Sequence, residues 1–125
     1  TALVLYLMTP HTEIRSLTGF RCYFVPRCEV NYQSYHRDND LYNMGIYKLN
    51  GQDAARFVYW AQENGWSKMP LSDEALTSGM LNEETCPEAA EIKQVTQGLW
   101  KGFYGVYLYV FDSQTAKLYI RKMPR

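Results

Sequence analysis

The stretch "GVYLYVF", residues 105–111, constrains the fold more than any other part of the chain. In an extended segment, alternate side chains point to opposite faces. Val106, Leu108 and Val110 therefore share one face, and Tyr107, Tyr109 and Phe111 share the other. Neither face is polar. A strand of this kind belongs inside a sheet, with cover on each side. A polar turn, "DSQT", follows with Asp112 in its favoured first place. "AKLYIRK" (116–122) then completes a C-terminal β-hairpin.

Upstream, the pattern runs from strands to helices. "ALVLYLM" (2–8) reads as a buried strand. In "TPHTEIRSLTG" (9–19), Thr9 is a helix cap, Pro10 the first helical residue and Gly19 the stop. "FRCYFV" (20–25) reads as a second strand ended by Pro26, "CEVNYQSY" (28–35) as an exposed third, and "MGIYKL" (44–49) as a fourth. The clearest helix lies in "NGQDAARFVYWAQENGW". Asn50 caps it, Asp53 suits its positive end, and Ala54, Phe57, Val58 and Ala61 fall on one face. Gly65 supplies the stop and Trp66 folds back onto the last turn. "SKMPLSDEALTSGML" (67–81) holds a short helix capped by Ser72. In "TCPEAAEIKQVTQGLWKG" (85–102), Thr85 and Glu88 form a capping box, and Ala89, Ile92, Val95 or Thr96, and Leu99 a buried stripe. The expected architecture is a single α+β domain over 1–125: a mostly antiparallel sheet, two to three helices packed on one side, and the C-terminal hairpin.

The 125 residues carry no net charge, which argues against a dedicated duplex-DNA binder. The charges are nevertheless segregated. Residues 72–91 hold Asp73, Glu74, Glu83, Glu84, Glu88 and Glu91 with no base, while Asp112 is the only acid after residue 91, among six bases. Such polarity either steers a partner or pairs internally. Eleven tyrosines exceed what a core of this size needs, which points to a recognition surface. No apolar run approaches a membrane span, so no membrane partner is expected. "TALVLYLM" is shorter than a signal core and lacks a basic leader; a removed initiator Met or a removed leader would look alike at Thr1. Three cysteines, Cys22, Cys28 and Cys86, do not make a disulfide framework, although Cys22 and Cys28 flank a turn that a bridge can span; the compartment is left open with a cytoplasmic one favoured, where the pair is expected reduced.

Several residues offer chemistry. In "HRDND" (36–40), Asp38 and Asp40 point the same way if extended and can hold a hard cation, with His36 as a general base. The segment lacks the glycine and distal glutamate of a calcium loop, and Asp and Asn also cap loop backbone, so a solvated turn is the preferred reading. Cys86 at a helix start is a candidate thiolate, but Glu88 and Glu91 oppose its ionisation. "KGFYGVYLYVF" (101–111) resembles the RNA-recognition strand motif at Lys101, Gly102, Phe103 and Val106. It departs at Tyr104, Gly105 and Leu108 and in its place in the chain, so that family is rejected. Tyr107, Tyr109 and Tyr119, beside Lys117 and Arg121, can stack on bases only if their face is open. No metalloprotease, Walker, nucleophile-elbow or dinucleotide motif occurs, and no cofactor is expected.

The expected function is that of a small non-enzymatic protein that binds another macromolecule, expected to be a protein, in the style of inhibitors, immunity proteins or phage-encoded modulators. Glu83, Glu84 and Glu91 are the expected charged contacts, with Tyr107, Tyr109 and Tyr119 as aromatic ones. The alternatives are a small hydrolase using His36, Asp38 and Asp40, a thiol enzyme using Cys86, and a single-stranded nucleic-acid binder.

Overall fold

The computed structural model describes residues 10–35, 41–84, 86–103 and 105–122. Its elements are α1 (Pro10–Thr18), β1 (Arg27–Tyr35), β2 (Leu41–Lys48), α2 (Gly51–Glu63), β3 (Ser67–Lys68), α3 (Asp73–Thr77), a 3₁₀ turn (Gly79–Leu81), α4 (Ala89–Lys93), β4 (Gly98–Phe103), β5 (Tyr107–Asp112) and β6 (Lys117–Lys122). The class is α+β. One six-stranded sheet runs β1-β2-β6-β5-β4-β3, with every neighbouring pair antiparallel. The expected strand at 2–8 lies outside the described residues.

The C-terminal hairpin forms the middle of this sheet. Tyr109 pairs with Ile120, Phe111 with Leu118 and Asp112 with Lys117. Asp112 caps the turn, its Oδ1 accepting the Gln114 N–H at 2.9 Å. On the other flank β6 pairs with β2, Gly45 opposite Ile120 and Ile46 opposite Tyr119.

Helices cover both faces of the sheet, not one. Tyr47, Leu99, Tyr109, Phe111, Leu118 and Ile120 pack with Ile14 of α1 and with Phe57 and Ala61 of α2. On the opposite face, Met44, Ile46, Leu108, Val110 and Tyr119 pack with Ala75 of α3, Met80 and Leu81 of the 3₁₀ turn, and Ala89 and Ile92 of α4. This cover is what two apolar faces on β5 require. Each large apolar side chain buried in these layers contributes about 1.5–3 kcal/mol. Phe57 is the hub of the first layer: its ring centroid lies 4.6 Å from Phe111, 4.9 Å from Phe20 and 5.0 Å from Trp66.

Two further expectations are corrected. The helix expected over 85–102 is only Ala89–Lys93, and residues 98–103 are strand β4. Leu99 and Trp100 point to opposite sides of a sheet with cover on both, so the apolar pair satisfies a strand as well as a helical stripe. The strand expected over 20–25 is a loop, because its amides are taken by a side chain from α2.

Candidate binding surface

That side chain is Asp53, in the first turn of α2 and fully buried. The helix itself forms as the sequence indicates: Asn50 caps it by accepting the Gln52 N–H at 2.8 Å, and Phe57 and Ala61 face the core. Asp53 thereby comes to rest beneath the chain leading from α1 to β1. Its Oδ1 accepts the Tyr23 N–H at 3.0 Å and its Oδ2 accepts the Phe24 N–H at 2.9 Å. Arg56, one turn further on, donates to Oδ1 at 2.8 Å and to the Arg21 carbonyl at 3.1 Å. The guanidinium carbon sits 3.6 Å from the centre of the Tyr23 ring and 5.1 Å from that of Phe20. Hydrogen bonds to a charged group are worth about 1.5–3 kcal/mol each. A buried carboxylate is tolerable here because its oxygens are hydrogen-bonded and a cation stands beside it.

The loop is pinned at its ends as well. Phe20 is buried in an edge-to-face contact with Phe57, and Pro26 is buried before β1. Between these anchors the side chains point outward: Tyr23 is 70%, Phe24 46% and Val25 66% exposed. Tyr59, also 70% exposed, stands on α2 beside a shallow depression that it lines with Ala55, Arg56, Trp60 and Glu63. Arg56 joins the two, since it stacks on Tyr23 and borders the depression. Four of the six large apolar side chains exposed among the described residues therefore lie on this loop and on α2, and Arg56 stands beside two of them, Tyr23 and Tyr59. Apolar side chains grouped on the surface, rather than scattered, mark interaction sites.

Compared with known protein families, curated proteins and solved structures, the chain matches none of them.

Among the described residues, those singled out from the sequence lie on both faces of the sheet. Glu83, Glu84 and Glu91 are exposed, on the side of the sheet covered by α3 and α4. The Glu91 carboxylate is engaged by the Tyr119 hydroxyl, and Glu88 accepts from the Tyr32 hydroxyl at 2.9 Å. Part of the acidic segment is thus tied to the sheet. Of the C-terminal bases, Lys117 pairs with Glu29 of β1 at 3.2 Å, while Arg121 enters the core and donates to the Met80 carbonyl at 3.2 Å. Tyr107 is half-buried. Tyr109 and Tyr119 are buried, on opposite faces and under different helices, so these two rings offer no open platform for bases. His36, Asp38 and Asp40 lie outside the described residues.

Cys86 is fully buried beside Met44, with the sulfurs 3.8 Å apart. Burial raises its thiol above the ordinary value; nearby Arg121 lowers it by less. Burial outweighs Arg121, and it opposes the thiolate that a helix start made a candidate. Cys22, half-buried next to Asp53, is pushed up to about 11, by burial first and by the carboxylate second. All three cysteines are free, so Cys22 and Cys28 are not bridged. Among the described residues no three His, Cys, Asp or Glu side chains converge as a metal centre, and no helix is long and apolar enough to cross a membrane.

The aromatic loop was missed because "FRCYFVP" is a good strand sequence. The usable signals were Pro26, which ends it, and the i, i+3 spacing of Asp53 and Arg56. Neither reveals a partner about thirty residues earlier in the chain.

Proposed function

We propose that this chain is a small non-enzymatic binding protein whose target is another protein, held through the aromatic loop at Tyr23–Val25 and the adjoining Tyr59. The observation that carries this reading is the fully buried Asp53 holding the loop's amides while the loop's side chains face solvent. Folding spends a buried carboxylate on presenting apolar groups to water. Aromatic anchors on a rigid support lose little entropy on binding, and such residues supply most of the affinity in protein interfaces. Size and style suit an inhibitor, an immunity protein or a phage-type modulator. The acidic segment lies across the sheet from the loop, so it assists a partner through long-range attraction rather than sharing the same contact.

The test is affinity capture from the native host with quantitative mass spectrometry, using the unaltered chain and a Tyr23→Ser/Phe24→Ser variant. Both side chains are exposed, so the melting temperature should hold. Loss of two anchors should weaken retention of the partner by at least roughly 30-fold. A Glu83→Lys/Glu84→Lys variant should change the association rate and its salt dependence far more than the dissociation rate. If the loop variant keeps the partner and the acidic variant releases it, the contact belongs to the acidic segment and this reading fails.

A further inference from the structure

A second feature adjoins the aromatic loop, on the side toward α1. The chain turns at Gly19, whose N–H donates to the Arg15 carbonyl at 2.9 Å, and Arg21 comes back alongside the helix. Arg56 holds the Arg21 backbone by donating to its carbonyl at 3.1 Å. His11, Thr12 and Arg15 of α1 then meet Arg21 and Cys22 around a recess of about 220 Å³. His11 and Arg15 stand one turn apart on the same side of the helix. No carboxylate borders the recess.

Its two guanidiniums are uncompensated. Arg15 and Arg21 are both exposed, and neither pairs with a carboxylate among the described residues. Glu13, Glu29 and Asp53 are already engaged: Glu13 by the Tyr47 hydroxyl, Glu29 by Arg27 and Lys117, and Asp53 by Arg56 and the loop amides. Like charges left side by side repel, and an opposite charge from outside relieves them. Arg27 and Arg56, the other arginines around the loop, are paired with these acids. The uncompensated charge is therefore a local pair, not a track. A single-stranded nucleic acid needs a track along its backbone. Two guanidinium forks instead suit carboxylates, which arginine grips through two parallel hydrogen bonds.

We propose that the protein partner held by the loop is acidic at this contact: its carboxylates enter the recess between Arg15 and Arg21, and a neighbouring apolar side chain packs on Tyr23 and Phe24. This rests on the protein-binding reading and gives that partner its chemistry. Charge complementarity selects it. Tyr23 follows Cys22 directly in the chain, so one short segment of the partner reaches both the recess and the exposed rings. The exposed acids Glu83, Glu84 and Glu91 lie across the sheet. A partner with carboxylates toward the loop and bases toward that far side is turned into place as it approaches.

Short random peptides displayed on phage and selected on the immobilised full chain test this, with the enriched peptides then titrated by fluorescence anisotropy. Enriched sequences should carry Asp or Glu beside Leu, Ile, Phe or Trp. Arg15→Gln/Arg21→Gln should weaken their binding by roughly tenfold or more. Arg15→Lys/Arg21→Lys, which keeps the charge and loses the fork, should still weaken it by at least roughly threefold. Tyr23→Ser/Phe24→Ser should also weaken it by roughly tenfold or more. All four side chains are exposed, so the melting temperatures should hold. The proposal is overturned by enriched peptides that lack acids, by binding indifferent to Arg15→Gln/Arg21→Gln, by no enrichment at all, or by a uridine oligonucleotide that binds more tightly than the enriched peptides. Acid-free peptides that still depend on Tyr23 and Phe24 sink the acidic partner and leave the protein-binding reading standing. Acidic peptides that need both arginines but ignore Tyr23 and Phe24 sink the loop reading and the joint contact with it.

Discussion

Asp53 is the residue on which the surface loop depends. Its removal leaves the Tyr23 and Phe24 amides and the Arg56 guanidinium without their shared acceptor. Asp53→Ala should therefore cost on the order of 3 kcal/mol, read as a lower urea midpoint. Trypsin cleavage at Arg21 and Arg27 should accelerate beyond what that loss alone explains, because the loop between them is released. Arg56→Ala should cost less than this but still on the order of 1–3 kcal/mol, because it strips the buried carboxylate of its cation while leaving the two amide bonds in place. A cost below about 1 kcal/mol for Asp53→Ala would show that the loop holds its shape without the carboxylate. From the sequence, Asp53 was legible only as an acid suited to a helix start. Its true partners are backbone amides, which every residue but proline carries and which leave no mark in a sequence. The tyrosines show the same limit. Alternation placed Tyr107 and Tyr109 correctly on one face of β5, but whether a face is open or covered is decided by elements far away in the chain.

Element by element, legibility followed local signals. The helix α2 was readable from Asn50, the 3.6-residue stripe and Gly65, and the hairpin from its alternation and Asp112. The β4 strand was not, since Leu99 extends a helical stripe from Ile92 as naturally as it starts a strand. What decides between them is Gly98, where the backbone takes a φ of +140°. A Cβ there would sit 1.8 Å from the Phe111 carbonyl oxygen, so β4 reaches β5 only because this position has no side chain. Gly65, at the end of α2, also has a positive φ, +82°, but open space around it. The two form a matched test. Gly65→Ala meets backbone strain alone and should cost about 1–2 kcal/mol. Gly98→Ala meets strain and a backbone clash, and should cost upward of about 3 kcal/mol. Equal melting temperatures for the two variants would mean that the β4–β5 approach is looser than described.

For the whole molecule, the consequence of covering both faces of the sheet is that tyrosine hydroxyls are enclosed on each side. Tyr47 and Tyr109 lie under α1 and α2; Tyr119 lies under α3 and α4, with Tyr32 packed at the margin of that layer. Burial raises all four above the ordinary tyrosine value near 10, Tyr109 to about 12, and carboxylates at Glu13, Glu88 and Glu91 add to it for Tyr47, Tyr32 and Tyr119. The folded state therefore keeps protons that the unfolded chain releases once pH passes about 10. Between those values the native state binds more protons than the unfolded one, so stability falls as pH rises. Their contribution is complete below about pH 9 and is lost as pH climbs through 10 to 12 and beyond. Cys22 adds the same sign from about pH 9 upward, its own thiol being held up to about 11. The melting temperature should thus be flat from pH 7 to about 9 and drop steeply above 10. Tyrosinate absorbance from the enclosed rings should rise together with unfolding, not before it. If every tyrosine instead ionises in one step near pH 10 while the circular dichroism stays native, solvent reaches the hydroxyls, and at least one helical layer is not seated on the sheet as described.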